Sequence, residues 1–351
     1  MASEDRPVVD VATGAVPPGQ RLTRRFPVTG EDGPGVDDLD RTTFRLTLAG
    51  LVGAPTVLGF ADLVALGPRT LRADIHCVTG WSRLACTFTG VPLRAVLDAA
   101  GGAASDASFV RFEATSARAH DTSLPLDLAL ADAWVVWEAD GAPLDVVHGG
   151  PVRIVTPSRY FSKSCKWVRL VELLAEDRLG YWERTSGYHN DADPWPGDRR
   201  FVSGSLRPEQ LERFLAASDH DKYRDRPLIG VDLRSWAPRT RGSVDLRRLA
   251  LKGCDLRGVD LSGTDLRGAN LSLSDLRGAR LVGADLAGAD VEGADFEGAD
   301  LTGANLEGAA CAATNLVGAV VVGLRWHGAQ GLLEDSEAWL AAHAPTGGNA
   351  S

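Results

Sequence analysis

The chain runs to 351 residues, with 44% hydrophobic and 24% charged residues and a formal charge of −10 at neutral pH. That composition belongs to a folded globular protein, excludes a disordered chain, and at about 150 residues per domain sets two domains as the expectation. The negative balance argues against holding nucleic acid by phosphate neutralisation, and five cysteines are too few and too odd in number for a disulfide-stapled secreted scaffold.

Residues 1–40 are rich in Pro, Gly and charge and read as an extended arm lying on a domain. No run of about 18 apolar residues occurs anywhere, so no membrane span is expected. Met1-Ala2-Ser3-Glu4-Asp5-Arg6 lacks the basic-then-apolar order of a secretory signal. Arg24-Arg25-Phe26 could pass for a twin-arginine signal, but Pro27 and the glycine-rich stretch 30–35 stand where the apolar segment should be. A cytoplasmic location is therefore expected. From Thr43 to about Trp195, short β-branched and aromatic runs alternate with brief helical patterns. Strands are predicted at Phe44–Leu48, Arg72–Val78, Phe109–Phe112, Trp134–Trp137, Val152–Thr156 and Trp167–Leu173, and helices at Phe60–Leu66 and Pro92–Ala99. Asp140-Gly141 is a turn signal between two apolar runs. This is an α+β pattern without a regular βαβ rhythm. Residues 206–217 read as a helix that leads into a different grammar.

Residues 254–323 read in fives, in 14 units from Cys254-Asp255-Leu256-Arg257-Gly258 onward. Every central residue is apolar: ten Leu, then Val291, Phe296, Cys311 and Val321. A period of five fits neither helix nor strand. A chain that turns a corner every five residues accounts for it. Four sides make a square coil of about 20 residues, and coils stack at ~4.8 Å, the strand-pairing distance. The central Leu and small residues such as Ala284, Ala289 and Ala294 would fill a narrow interior, with Gly at corners where positive φ is cheap. The tract resembles, over its whole length, an all-β right-handed quadrilateral β-helix of pentapeptide repeats. Residues 331–343 read as an amphipathic helix capping its open end.

The tract also holds most of the net negative charge: its 11 Asp and Glu against 4 Arg give −7 of the total −10. Some pentapeptide-repeat proteins resemble duplex DNA in shape and charge and inhibit topoisomerases. That offers a second reading: an acidic interaction module beside a non-catalytic scaffold. The simpler cause is that Asp or Asn at this slot satisfies corner backbone groups and keeps a solenoid soluble.

Chemistry is sought in the first half. No G-x-S-x-G, no dinucleotide fingerprint, no P-loop and no C-x-x-C is present. Cys77 ends an apolar strand, Arg72-Ala73-Asp74-Ile75-His76-Cys77, ahead of Val78-Thr79-Gly80-Trp81-Ser82, where a thiol can meet a pocket. A free Cys taken alone is most often a buried small hydrophobe. Far along the chain, His148-Gly149-Gly150-Pro151-Val152-Arg153 opens one strand and Lys163-Ser164-Cys165-Lys166-Trp167 opens the next. Arg153, Arg159, Lys163 and Lys166, with glycines and turn backbone between them, suit a bound phosphate or pyrophosphate.

Together these residues resemble the molybdopterin-binding domain of the sulfite oxidase superfamily, from Arg24-Arg25-Phe26-Pro27 to Asp193-Pro194-Trp195. The specific pieces are Asp74–Ser82, His148–Arg153 and Lys163–Val168, with Gly180-Tyr181-Trp182-Glu183 and Gly187-Tyr188-His189 adding further matches. The resemblance implies a Mo-molybdopterin cofactor with Cys77 as the thiolate ligand of molybdenum. It implies that His148, Arg153, Ser164, Cys165 and Lys166 hold the pterin and its phosphate, with Thr115 near another pterin contact. A soft thiolate suits a metal already held by a dithiolene. Arg83, Arg159, Lys163 and His189 are the cations expected near the pocket mouth, with Arg83 and His189 assigned to catalysis on a small anionic or S=O-type substrate.

The wording after Cys77 departs from that of sulfite oxidases proper, which place arginines there, and is closer to the bacterial methionine sulfoxide reductase catalytic subunit. The immunoglobulin-like dimerisation domain of sulfite oxidases is replaced by the repeats. No haem attachment motif is visible, so a separate electron donor or acceptor is expected. The expected layout is an α+β molybdopterin domain over 1–200, a helical linker over 201–243, pentapeptide repeats over 244–328, and a capping helix and tail over 329–351. The expected activity is oxygen-atom transfer, with the repeats serving homo-oligomer assembly or protein docking.

Overall fold

The structure is a computed structural model that describes residues 6–29, 33–34, 39–186, 188–196, 208–217, 220, 228–236 and 245–344. Its contacts divide it into two units, Met1–Arg199 and Arg200–Ser351. In chain order the strands of the first unit are β1 (Val8–Asp10), β2 (Arg21–Leu22), β3 (Arg45–Gly50), β4 (Thr56–Gly59), β5 (Arg69–His76), β6 (Trp81–Pro92), β7 (Phe109–Ala114), β8 (Asp121–Pro125), β9 (Trp134–Ala139), β10 (Ala142–Pro143), β11 (Arg153–Val155) and β12 (Val168–Leu174). Short helices α1 (Phe60–Ala65), α2 (Leu93–Asp98), α3 (Leu126–Asp132) and α4 (Tyr181–Ser186) connect them.

One sheet runs β1-β5-β6-β9-β10, with β2 pairing β6 and β11 pairing β9; the other runs β4-β3-β12-β7-β8. The arm thus enters the first sheet at two places. β1 lies parallel to β5, and Arg21 and Leu22 pair with Trp81 and Ser82. Apolar faces of both sheets and of α2 and α3 make one core, with Leu46, Leu48, Val96, Phe112, Val135 and Val171 fully buried. Two irregularities shape the first sheet. At Asp74 the β5–β6 register shifts, and the Asp74 carboxylate accepts from Thr13 N (2.7 Å), Gly14 N (2.8 Å) and Ala85 N (2.8 Å). This single side chain ties the arm and β6 to the bulge. At Gly90 a side chain would lie 2.1 Å from Val135 O, so the close strand approach there requires glycine.

Sequence reasoning finds β3, β5, β7, β9, β11, β12, α1 and α2 but misses β6, the twelve-residue strand Trp81–Pro92. Its glycine and polar residues break the alternation, and pairing on both edges supplies the order instead.

In the second unit, residues 245–310 pair every five positions with the residue twenty further on, in parallel, from Asp245↔Asp265 to Ala310↔Gln330. Four pentapeptides thus make one coil. The central residues Leu256, Leu261, Leu266, Val291, Phe296 and Cys311 are all buried in one continuous core. Corner Asp side chains accept the amide two residues on, as Asp285 does from Ala287 N (3.1 Å) and Asp300 from Thr302 N (3.0 Å). In the stretch expected as a helical linker, α5 (Pro208–Leu215) is helical, but 228–236 joins the stack. Asp232 bridges Asp255, and Leu228, Val231, Leu233 and Trp236 are buried in the repeat core. Apart from 216, 217 and 220, the remainder of 201–243 lies outside the described residues. At the far end α6 (Glu334–His343) covers the last coil: Ser336 Oγ donates to Thr314 O (2.9 Å), Trp339 Nε1 donates to Ala319 O (3.0 Å), and Leu340 is buried.

Candidate active site

β5 is exposed at its start and buried over its last four residues, so it carries the chain inward and leaves Cys77 at its end, 4% exposed. A tight turn brings the chain back. Cys77 N donates to Trp81 O (2.8 Å) and Gly80 N to Cys77 O (2.9 Å), with Gly80 at φ 99°. Side chains brace it: Gln20 Nε2 donates to Cys77 O (3.1 Å), Ser82 Oγ donates to Gln20 Oε1 (3.3 Å), and His76 Nδ1 lies 2.8 Å from Ser82 Oγ. Burial pushes the His76 pKa below its ordinary value, opposed in part by the Asp74 charge. At the sulfur itself, Thr79 Oγ1 donates to Cys77 Sγ at 3.2 Å, and Thr29 Oγ1 lies 3.8 Å away.

The turns around His148 and Lys166 pack together, since Trp167 N donates to Gly149 O (3.3 Å) and a side chain on Gly149 would lie 3.0 Å from Lys166 Cβ. Arg153 begins β11 behind them, 1% exposed. Its Nη1 donates to His148 O (2.6 Å), its Nη2 to Ser164 O (2.9 Å), and its Cζ sits 4.1 Å from the Phe161 ring centroid. Among the described residues no carboxylate pairs with it. Burial pushes the guanidinium down to about 9, opposed only by the nearby Cys165 and Cys77 sulfurs, and it stays charged at neutral pH. The arm completes the cluster. Phe26 O accepts from His148 Nε2 (2.7 Å), the Phe26 ring stacks on His148 at 4.3 Å, and Thr29 O accepts from Lys166 Nζ (3.2 Å).

The structure therefore brings Cys77, His148, Arg153 and Lys166 into one connected cluster. Ser164 joins through its carbonyl, while its buried hydroxyl accepts from Thr156 N (3.0 Å). Cys165 belongs to the apolar core, its thiol pushed up to about 12 by burial against the opposing pull of Arg153, and its Sγ donates to Lys166 O (3.4 Å). Thr115 N donates to Trp167 O (2.8 Å), next to the Lys166 turn. Arg83 lies over Phe26 at 5.7 Å but is ion-paired to Asp140 at 2.5 Å. His189 is exposed, and its Nδ1 accepts from Asp191 N (3.3 Å). Two of the expected mouth cations are placed otherwise. Lys163 is buried against Glu183 Oε1 at 2.7 Å and donates to Ser123 O (3.1 Å), and Arg159 pairs with Asp191 at 3.4 Å. Sequence reasoning gave no site role to Phe26, Phe161, Trp81 or Thr79: the Phe26 and Phe161 rings border Arg153, Trp81 packs against both, and Thr79 donates to the Cys77 sulfur.

The donor set fits an anionic, sulfur-loving group. A buried thiol supplies a soft ligand, and among the described residues the buried guanidinium has no carboxylate and the fully buried Trp81 Nε1 has no hydrogen-bond partner. Trp81 packs edge-on to Phe26 at 6.4 Å and to Phe161 at 6.3 Å, the two rings that border Arg153.

Residues 33–182 match the family model of the oxidoreductase molybdopterin binding domain, and residues 245–281 and 279–319 match pentapeptide repeats, in eight copies. The uncharacterized oxidoreductase YuiH of Bacillus subtilis is 40% identical over 190 residues, covering 53% of this chain and 92% of that protein. A protein of Azospira oryzae designated a protein-methionine-sulfoxide reductase subunit, YedZ1, is 30% identical over 177 residues, 49% of this chain and 64% of that one. Mouse mitochondrial sulfite oxidase is 28% identical over 176 residues, 42% of this chain and 32% of the mouse protein.

Proposed function

The chain belongs to the family of oxidoreductases with a molybdopterin-binding domain, and we propose that it transfers one oxygen atom, with two electrons, to or from a small sulfur or nitrogen oxo compound. It is an oxidoreductase with a molybdopterin cofactor. The observation that carries the reading is the buried Cys77 thiol in the same cluster as a buried Arg153 that pairs with no carboxylate among the described residues. When bound, the cofactor supplies a metal that can give or take an oxygen atom while changing by two electrons. Cys77 Sγ would be the protein's ligand to that metal, on a turn whose backbone is fixed at both ends. Arg153, His148 and Lys166 would hold the pterin and its phosphate, with Trp81 Nε1 and the Ser164 and Cys165 backbone completing the cradle and Thr115 nearby. Phe26, Trp81 and Phe161 would keep water away from the sulfur. Arg83 and His189 would orient an anionic or S=O-type substrate, in keeping with relatives designated sulfite oxidase and methionine-sulfoxide reductase.

The repeats would form a right-handed quadrilateral β-helix, supported by their twenty-residue pairing, and would serve assembly or the docking of a separate electron partner. The corner Asp side chains bind their own backbone and neighbouring Arg residues, which favours this use over an acidic DNA-like surface. Among the described residues no helix is long and apolar enough to cross a membrane; a cytoplasmic setting remains part of the proposal. The test is the full chain from a host that makes the cofactor. Wild type and Cys86→Ser should hold molybdenum and turn over sulfite or a sulfoxide, and Cys77→Ser should lose turnover and change the metal's spectrum. Undiminished turnover in Cys77→Ser would overturn the reading.

A further inference from the structure

We propose that Thr79 is a positioning residue that tunes Cys77, its hydroxyl donating to the sulfur and setting how strongly that sulfur gives electron density to a bound metal. The inference rests on the cofactor reading above. The four-residue turn places Thr79 two positions after Cys77, closed by the Gly80 N to Cys77 O bond at 2.9 Å and opened by Gly80 at φ 99°. With the backbone so fixed, Thr79 Oγ1 reaches Cys77 Sγ at 3.2 Å, and Thr79 is 5% exposed, so water does not compete for the contact. Gln20, itself held by Ser82, braces the Cys77 carbonyl, while the Thr79 hydroxyl addresses the sulfur. Valine at this position would keep the shape and remove the donor. A hydrogen bond to a metal-bound thiolate withdraws density, stabilises the reduced metal and raises its potential.

The experiment uses the full chain from a cofactor-competent host as wild type, Thr79→Val, Thr79→Ala and Thr79→Ser, with molybdenum content, visible spectrum and midpoint potential measured on each. At wild-type molybdenum content, Thr79→Val and Thr79→Ala should show a lower midpoint potential and a sulfur-to-metal absorption moved to longer wavelength. Thr79→Ser should restore both. Loaded Thr79→Val or Thr79→Ala with the wild-type potential and spectrum would overturn the proposal. So would failure of both to load molybdenum while Thr79→Ser loads, because the hydroxyl would then serve assembly alone. Wild type without molybdenum would be a separate result, since it removes the cofactor reading itself and this proposal with it.

Discussion

At the residue scale the decisive group is Arg153. A guanidinium that is 1% exposed and, among the described residues, bonded to carbonyls and aromatic faces but to no carboxylate has lost most of its hydration without gaining a counter-charge there. Such a group destabilises the cofactor-free chain and rewards any anion that enters. Arg153→Met keeps the volume and removes the charge. Its cofactor-free form should melt at the wild-type temperature or above, because an apolar replacement of an uncompensated buried charge is neutral or stabilising. Its retention of molybdopterin should fall about 10- to 150-fold, the equivalent of roughly 1.5–3 kcal/mol for a charge-assisted hydrogen bond. A lower melting temperature with unchanged cofactor content would show that Arg153 is structural instead.

At the element scale the repeats make two demands. The first is backbone: the corner position needs φ > 0, which Gly258, Gly268 and Gly288 supply, while Arg248 takes φ 57° with a side chain. The left-handed region costs a non-glycine residue about 1–2 kcal/mol, and glycine returns part of that through the freedom of the unfolded chain. Arg248→Gly should therefore stabilise the repeat unit by roughly 0.5–1 kcal/mol, read as a higher melting transition. The second demand is charge. Hydrogen bonding from Arg234 holds Asp232 at about 2, and Arg257 and Arg267 hold Asp255 and Asp265 low in the same way. Each Arg also reaches the Asp of the next coil, as Arg257 does Asp275 at 3.4 Å. A depressed carboxylate supports the fold above its unfolded pKa and loses that support as pH falls through its folded value. The transition raised by Arg248→Gly should thus fall between about pH 4 and pH 2 in the full chain. High salt should weaken the effect, because these pairs are half exposed.

At the scale of the whole molecule, the buried cores share no residue: one draws on Phe44 to Leu173, the other on Phe214 to Ala344. A chain ending at Arg199 should fold and hold molybdopterin, measured by pterin fluorescence after release. Ending near Arg239 is worse, because it strands Leu228, Val231, Leu233 and Trp236 without the coils that bury them. Ending near Gly288 should aggregate, since the stack would end on unpaired rungs and an open apolar interior. A soluble, monodisperse chain cut at Gly288 would contradict the account of how coils depend on their neighbours.

Local pattern determined more of this protein than its size suggests. The five-residue period is visible in sequence because every coil makes the same demands on the same slots: an apolar centre, an Asp or Asn that binds the amide two residues on, a glycine at the corner. Cys77, Arg153 and Lys166 could be singled out as candidates because they stand in turn motifs beside strand signals, and His148 through the resemblance those motifs carry. What the sequence left open is set by contacts between distant segments. Trp81–Pro92 is a strand because β5 and β9 pair with it, and 228–236 belongs to the repeats because Asp255 offers it a rung. Lys163, a cation in the same basic stretch as Lys166, turns away because Glu183, twenty residues later, holds it in the interior. Phe26 and Thr29 become part of the site only when the arm pairs alongside β5 and β6. Neighbouring residues impose spacing that a sequence displays directly, whereas the direction a buried charge faces is decided by whichever distant partner satisfies it at the lowest desolvation cost.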